Sequence, residues 1–97
     1  TIVREGQAGA LMYVVLKGGV AIQVGGSVVE YVGPGGIFGE MALVDRTPRL
    51  ASGIAETDCK LLAIDRSAFL YLVKNSRRFA ASLLAAVSER ARFMTSR

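Results

Sequence analysis

At 97 residues, 52% hydrophobic and 21% charged, the chain has the make-up of one folded domain with a modest core, which excludes a disordered segment. It has no His and a single Cys, so imidazole metal sites, zinc ribbons, internal disulfides and His-assisted nucleophiles are all ruled out. The net charge of +4 is uneven: residues 1–59 carry four bases and six acids, whereas residues 60–97 carry eight bases and two acids.

TIVREG opens as a strand and turns at QAGA, and LMYVVLKG follows as a nearly continuous buried strand. Lys17-Gly18-Gly19 turns into VAIQV, and Gly25-Gly26 is a two-residue hairpin signal before SVVEYVG. Gly33-Pro34-Gly35-Gly36 breaks the pattern. Beyond GEMALV, the stretches LASGIAE and CKLLAID give two further strands around Thr57-Asp58. Cys59, close to Leu61 and Leu62, reads as a buried structural thiol in a reducing, cytoplasmic setting. The period then changes. SAFLYLVKNS predicts a short helix with Asp65 or Ser67 as N-cap, and Ser76 caps a longer one. Along the second helix Phe79, Leu83, Val87, Ala91 and Met94 form an apolar stripe for the β body or another subunit. Arg77, Arg78, Arg90, Arg92 and Arg97 are spread along the same helix among Leu and Ala, as on a solvated or partner-facing helix rather than a DNA-reading surface. No apolar run approaches the roughly 18 residues of a membrane span, and no helix-turn-helix is evident. The expected fold is mainly β with appended helices: an antiparallel, jelly-roll-like β roll over 1–65, then two C-terminal helices over 66–97.

The chemistry concentrates in GIFGEMALVDRTPRLAS, residues 36–52. The glycines at 33, 35, 36 and 39 have the wrong intervals for a dinucleotide fingerprint, and no βαβ unit follows. Gly39 allows close backbone approach, and residues 39–43 suit one helical turn whose N–H groups face an anion. Arg49 supplies a planar pair of donors for a phosphate. Glu40 is left to accept from a neutral group such as a ribose hydroxyl. One acid for a sugar and one base for a phosphate describe a nucleotide monophosphate. The competing reading is that Glu40 and Arg49 pair with each other or with solvent across the loop.

GEMALVDRTPRLA resembles the phosphate-binding cassette of the cyclic nucleotide-binding domain family, and IVREGQAGALMYVVLKG is similar to that family's other signature. The resemblance implies a ligand-sensing module over 1–97, with its cassette at 38–52 and the family's N-terminal helix and first strand expected before Thr1. It places the ligand at Phe38, Gly39, Glu40, Met41, Ala42, Arg49, Leu50 and Ala51. Glu40 would accept from the ribose 2′-hydroxyl, assisted by the Gly39 backbone. Arg49 would pair with the cyclic phosphate, and the N–H groups of Ala42 and Leu50 would complete its cradle. Leu50 replaces the family's usual Ser, Thr or Ala, and Gly53 replaces an aliphatic residue. The missing hydroxyl at 50 argues for cyclic AMP over cyclic GMP. Arg90, Arg92 and Phe93 are candidates to cover the base.

The expected function is therefore non-enzymatic. Cyclic AMP, or else cyclic GMP, would shift the C-terminal helices, with no cofactor, with an effector domain outside these residues, and with self-association through the last helix. Two alternatives stand beside it: a scaffold or dimerisation domain without ligand, and the sensor half of a bacterial transcription factor or ion channel. Arg49 is expected to matter for the ligand and hardly for the stability of the free domain. Arg46, on the same loop, is expected to be exposed and nearly neutral for affinity.

Overall fold

The computed structural model describes residues 1–44 and 48–96, with side chains through Ser88. The described residues form, in chain order, β1 (Met12–Lys17), β2 (Val20–Val24), β3 (Ser27–Val32), β4 (Ile37–Phe38), α1 (Met41–Val44), β5 (Ser52–Ala55), β6 (Lys60–Ile64), α2 (Arg66–Asn75) and α3 (Arg77–Ser96). The strands form two antiparallel three-stranded sheets, ordered β4-β1-β6 and β3-β2-β5. This is the mainly antiparallel β architecture with C-terminal helices that the sequence pattern predicts.

The unbroken apolar run in β1 has a direct cause. Met12 and Val14 face a cluster with Ile37, Leu43, Ile64, Phe69 and the helix residues Leu72, Phe79 and Leu83. Tyr13 and Val15 face the opposite cluster, with Val20, Ile22, Val32 and Phe38. A strand covered on both faces has no side to give to polar residues, so the usual alternation disappears. The sheet β4-β1-β6 is the central layer, with the second sheet on one side and the helices on the other.

Asp65 caps α2, accepting from the Ala68 N–H at 2.9 Å. Ser76 ends α2 through its own N–H to the Leu72 carbonyl and starts α3 by accepting from the Phe79 N–H at 3.1 Å. Phe69 and Phe79 meet edge to face across the two helices, with ring centroids 6.3 Å apart. Of the predicted stripe, Phe79 and Leu83 pack on the core and Val87 is half-buried. The side chains of Ala91 and Met94 lie outside those described.

Three expectations need correction. TIVREG is not a ladder strand: it pairs with β5 as an isolated bridge, Val3–Gly53. Residues 37–38 form a strand where a plain loop was expected. Cys59 is half-buried rather than buried, its thiol lying 3.3 Å from the Gly19 and Thr57 carbonyls. Among the described residues, no helix is long and apolar enough to cross a membrane.

The turn entering β2 depends on Gly18, at φ +88°; a Cβ there would run into the Asp58 carbonyl oxygen and lie 2.8 Å from Thr57 Oγ1. Gly26 has a similar φ, +83°, with nothing within 4 Å of such a Cβ. Gly26→Ala therefore carries the left-handed backbone penalty alone, about 1–2 kcal/mol. Gly18→Ala adds a clash with backbone and should destabilise by more. Urea midpoints of the two variants test the ordering, and equal losses would contradict it.

Candidate functional site

The site begins where β4 ends. Phe38 is 1% exposed; its ring stacks on Tyr13 (centroids 5.2 Å apart, planes at 21°) and lies against the Gly53 backbone. The chain must turn at once, and Gly39 does so with φ +80°, a value that disfavours any side chain. Helix α1 follows, its first internal bonds running from the Leu43 and Val44 N–H groups to the Glu40 carbonyl at 3.0 and 2.9 Å. The N–H groups of Met41 and Ala42 accordingly stand at its open start. The short helix is held by Ala42 and Leu43, both buried.

Glu40 and Arg49 lie much deeper than loop charges usually do. Glu40 is 1% exposed and Arg49 9%. The Arg49 guanidinium donates from Nη1 to the Gly39 carbonyl at 3.0 Å and from Nη2 to the Leu11 carbonyl at 2.7 Å. Its backbone is fixed as well: the Arg49 N–H donates to Gln7 O at 2.8 Å, and Arg49 O accepts from the Gly6 N–H at 2.7 Å. Ile2–Gln7 therefore runs beside residues 49–53, with further bonds from Glu5 N–H to Ser52 Oγ and between Val3 and Gly53. Two glycines make room for the guanidinium. A Cβ on Gly9 would overlap Arg49 Nε and Cζ, and one on Gly39 would stand 2.5 Å from Nη1.

Burial pushes the guanidinium pKa below its ordinary value, while Tyr13 and then Glu40 act in the opposite sense. The cation thus lacks part of the solvation it has in water. An anion brought against it would restore that stabilisation. The bonds to the Gly39 and Leu11 carbonyls use two of its five N–H donors.

The predicted residues are brought together, though not as a uniform lining. Glu40, Ala42 and Arg49 are buried, Met41 and Ala51 half-buried, and Leu50 exposed. Phe38 belongs to the core. A pocket of about 370 Å³ opens beside α1, lined by Ala8, Gly9, Ala10, Ala42, Leu43, Pro48 and Arg66. Arg66, which the sequence reading did not single out, donates from Nη1 to the Leu43 carbonyl at 3.0 Å and so ties α2 to the last turn of α1. Gly9 was missed too; its only sequence signal is its place in a Gly-containing turn, which many glycines share. Arg46 and the side chains of Arg90, Arg92 and Phe93 lie outside those described. Among the described residues, no group of three or more His, Cys, Asp or Glu could hold a metal.

Replacing Gly9 by Ala should force the guanidinium away from Leu11 O and Gly39 O and lower stability by about 1–3 kcal/mol, the loss expected when buried acceptors lose their donors. Gly19→Ala, whose Cβ would meet nothing within 4 Å, is the control. Chemical denaturation of both variants checks this, and an unaffected Gly9→Ala would mean that the guanidinium is not confined.

Residues 1–76 match the family model described as the cyclic nucleotide-binding domain. Over 68 residues the chain is 43% identical to a cAMP-dependent protein kinase regulatory subunit of Eremothecium gossypii, covering 70% of this chain and 15% of that protein. The catabolite activator protein of Thermus thermophilus superposes with a TM-score of 0.79 at 34% identity, over 97% of this chain and 46% of that one. The regulatory domain of Toxoplasma gondii PKA, solved with cAMP, gives a TM-score of 0.69 at 31% identity, over 93% and 34% of the two chains. The chain thus spans less than half the length of each of these relatives. With a family model covering most of its length and a fold shared with these structures, the chain belongs to the cyclic nucleotide-binding domain family.

Proposed function

We propose that this domain is a cyclic AMP sensor that passes ligand binding to its C-terminal helices without chemical turnover. The observation that carries the reading is the burial of Glu40 and Arg49 together, with the Arg49 guanidinium bonded to the carbonyl of Gly39, the residue before Glu40. In this reading Arg49 faces the cyclic phosphate, with the N–H groups of Ala42 and Leu50 beside it, and Glu40 accepts from the ribose 2′-hydroxyl. The regulatory subunit and the cAMP-bound regulatory domain among its relatives support cyclic AMP. So does Leu50, which has no hydroxyl to offer a guanine amino group.

Coupling to the helices has its own support. Leu43 of α1 packs in one cluster with Phe69 of α2 and with Phe79 and Leu83 of α3. The Arg66 bond to Leu43 O adds a polar link at the same end of α1. A ligand at the start of α1 and the helices at its end share four residues. The switching energy is the difference in ligand affinity between two positions of those helices. The effector lies outside these residues, in the manner of a kinase regulator, a transcription factor or a channel. The scaffold alternative draws support from exposed Leu84, 68% exposed on α3, which suits self-association.

Calorimetry with cyclic AMP and cyclic GMP tests the sensor directly. Arg49→Ala should weaken binding by about 2–5 kcal/mol, or roughly thirty-fold to several thousand-fold, because it strands a desolvated phosphate. Contrary to the expectation from sequence, the free domain should also lose about 1–3 kcal/mol, since the Leu11 and Gly39 carbonyls lose their donor. Wild-type affinity in Arg49→Ala, or 5′-AMP recovered after incubation with pure protein, would defeat the proposal.

A further inference from the structure

The segment IVREGQ opens the second of the two signatures, yet the site described above uses none of its side chains. Its course is set by a turn. The Gln7 N–H donates to the Arg4 carbonyl at 3.3 Å, and Gly6, third in that turn, has φ +85°, which suits Gly. Glu5 stands exposed at the second position.

Exposed as it is, Glu5 is bonded to two distant segments. Its N–H donates to Ser52 Oγ at 2.9 Å, and its Oε1 accepts from the Gly25 N–H at 3.0 Å. The next two residues hold the main chain of Arg49. The Gly6 N–H donates to Arg49 O at 2.7 Å, and the Arg49 N–H donates to Gln7 O at 2.8 Å. The β2–β3 hairpin tip, the start of β5 and the backbone of Arg49 are therefore joined around one side chain.

The hairpin tip is a place where a tether matters. Val24 pairs with Ser27 across Gly25-Gly26, whose φ values of +59° and +83° belong to a tight two-residue turn. Two successive glycines restrain the backbone least, and the Gly25 N–H stands outside the ladder of β2 and β3. A bond between exposed groups adds little to global stability. What it can set is where the tip and the segment beside Arg49 lie relative to each other.

We infer that Glu5 is a positioning residue for the ligand: by holding the Gly25 N–H it fixes the segment bonded to the Arg49 main chain, so that the guanidinium meets the anion already in place. The inference rests on the nucleotide-binding reading above. Preorganisation of this kind raises affinity without a new contact. Charge alone predicts the opposite sign. A carboxylate repels an anionic ligand, weakly where water and salt screen it, so its removal would help binding.

Two variants separate the effects. Glu5→Ala removes both acceptor and charge, whereas Glu5→Gln removes the charge and keeps an oxygen that accepts. In titration calorimetry with cyclic AMP, Glu5→Ala should bind about three- to ten-fold more weakly than wild type, the equivalent of one hydrogen bond. Glu5→Gln should bind as well as wild type or better. Hydrogen exchange of the Arg49 amide should quicken in Glu5→Ala and recover in Glu5→Gln, with the urea midpoints of all three proteins close together. Equal or tighter binding by Glu5→Ala overturns the inference. So does a loss of affinity that Glu5→Gln fails to recover, or one matched by an equal loss of stability. Each of those outcomes leaves the nucleotide-binding reading standing. A wild type that binds neither cyclic AMP nor cyclic GMP defeats that reading, and this inference with it.

Discussion

The buried guanidinium of Arg49 is the tie on which the site depends. It joins the carbonyl before β1 to the carbonyl before α1, while its own backbone is paired with Gly6 and Gln7. Three stretches far apart in sequence meet at one side chain. Taking a cation out of water is unfavourable, and carbonyl dipoles offset only part of that loss. Gly9 and Gly39 are the steric condition for the arrangement, since a methyl group on either would occupy the guanidinium's space. The same residue is both a structural cross-brace and a cation held short of full solvation, and an anion is the partner such a cation favours.

Around this tie the layers divide the work. One sheet and the helices enclose the cluster that holds Leu43, while the two sheets enclose the cluster that holds Phe38. The segment between these two residues is the cassette turn, Gly39 to Ala42. In the proposed reading a ligand there would rest on a backbone set by both clusters, and Leu43 packs directly against residues of α2 and α3. Glu5 extends the network outward, its carboxylate accepting from the Gly25 N–H at 3.0 Å and so tying the β2–β3 hairpin tip to the segment beside Arg49.

Much of the fold was legible because the relevant signals are local. The Gly25-Gly26 turn, with φ values of +59° and +83°, the Asp65 and Ser76 caps, and the strand pattern of β1 to β3 all follow from neighbouring residues. What was missed is tertiary. Two residues, Ile37 and Phe38, are too few to show a period. The bonds of Ile2–Gln7 go to Arg49 and to the first two residues of β5 as one isolated bridge rather than a regular ladder, so an apolar start alone suggested a strand. Charge pointed to surface positions for Glu40 and Arg49, whereas packing from distant strands buries both.

The two-residue strand β4 has a wider consequence. Ile37 points into one hydrophobic cluster and Phe38 into the other, so the backbone just before Gly39 is anchored from both faces of the central sheet. The cassette therefore has no independent foundation. A lost methyl group in either core, however far from the loop along the chain, reaches the turn through one of two adjacent residues. If the ligand binds at this turn as proposed, its affinity would in that sense gauge the integrity of both cores.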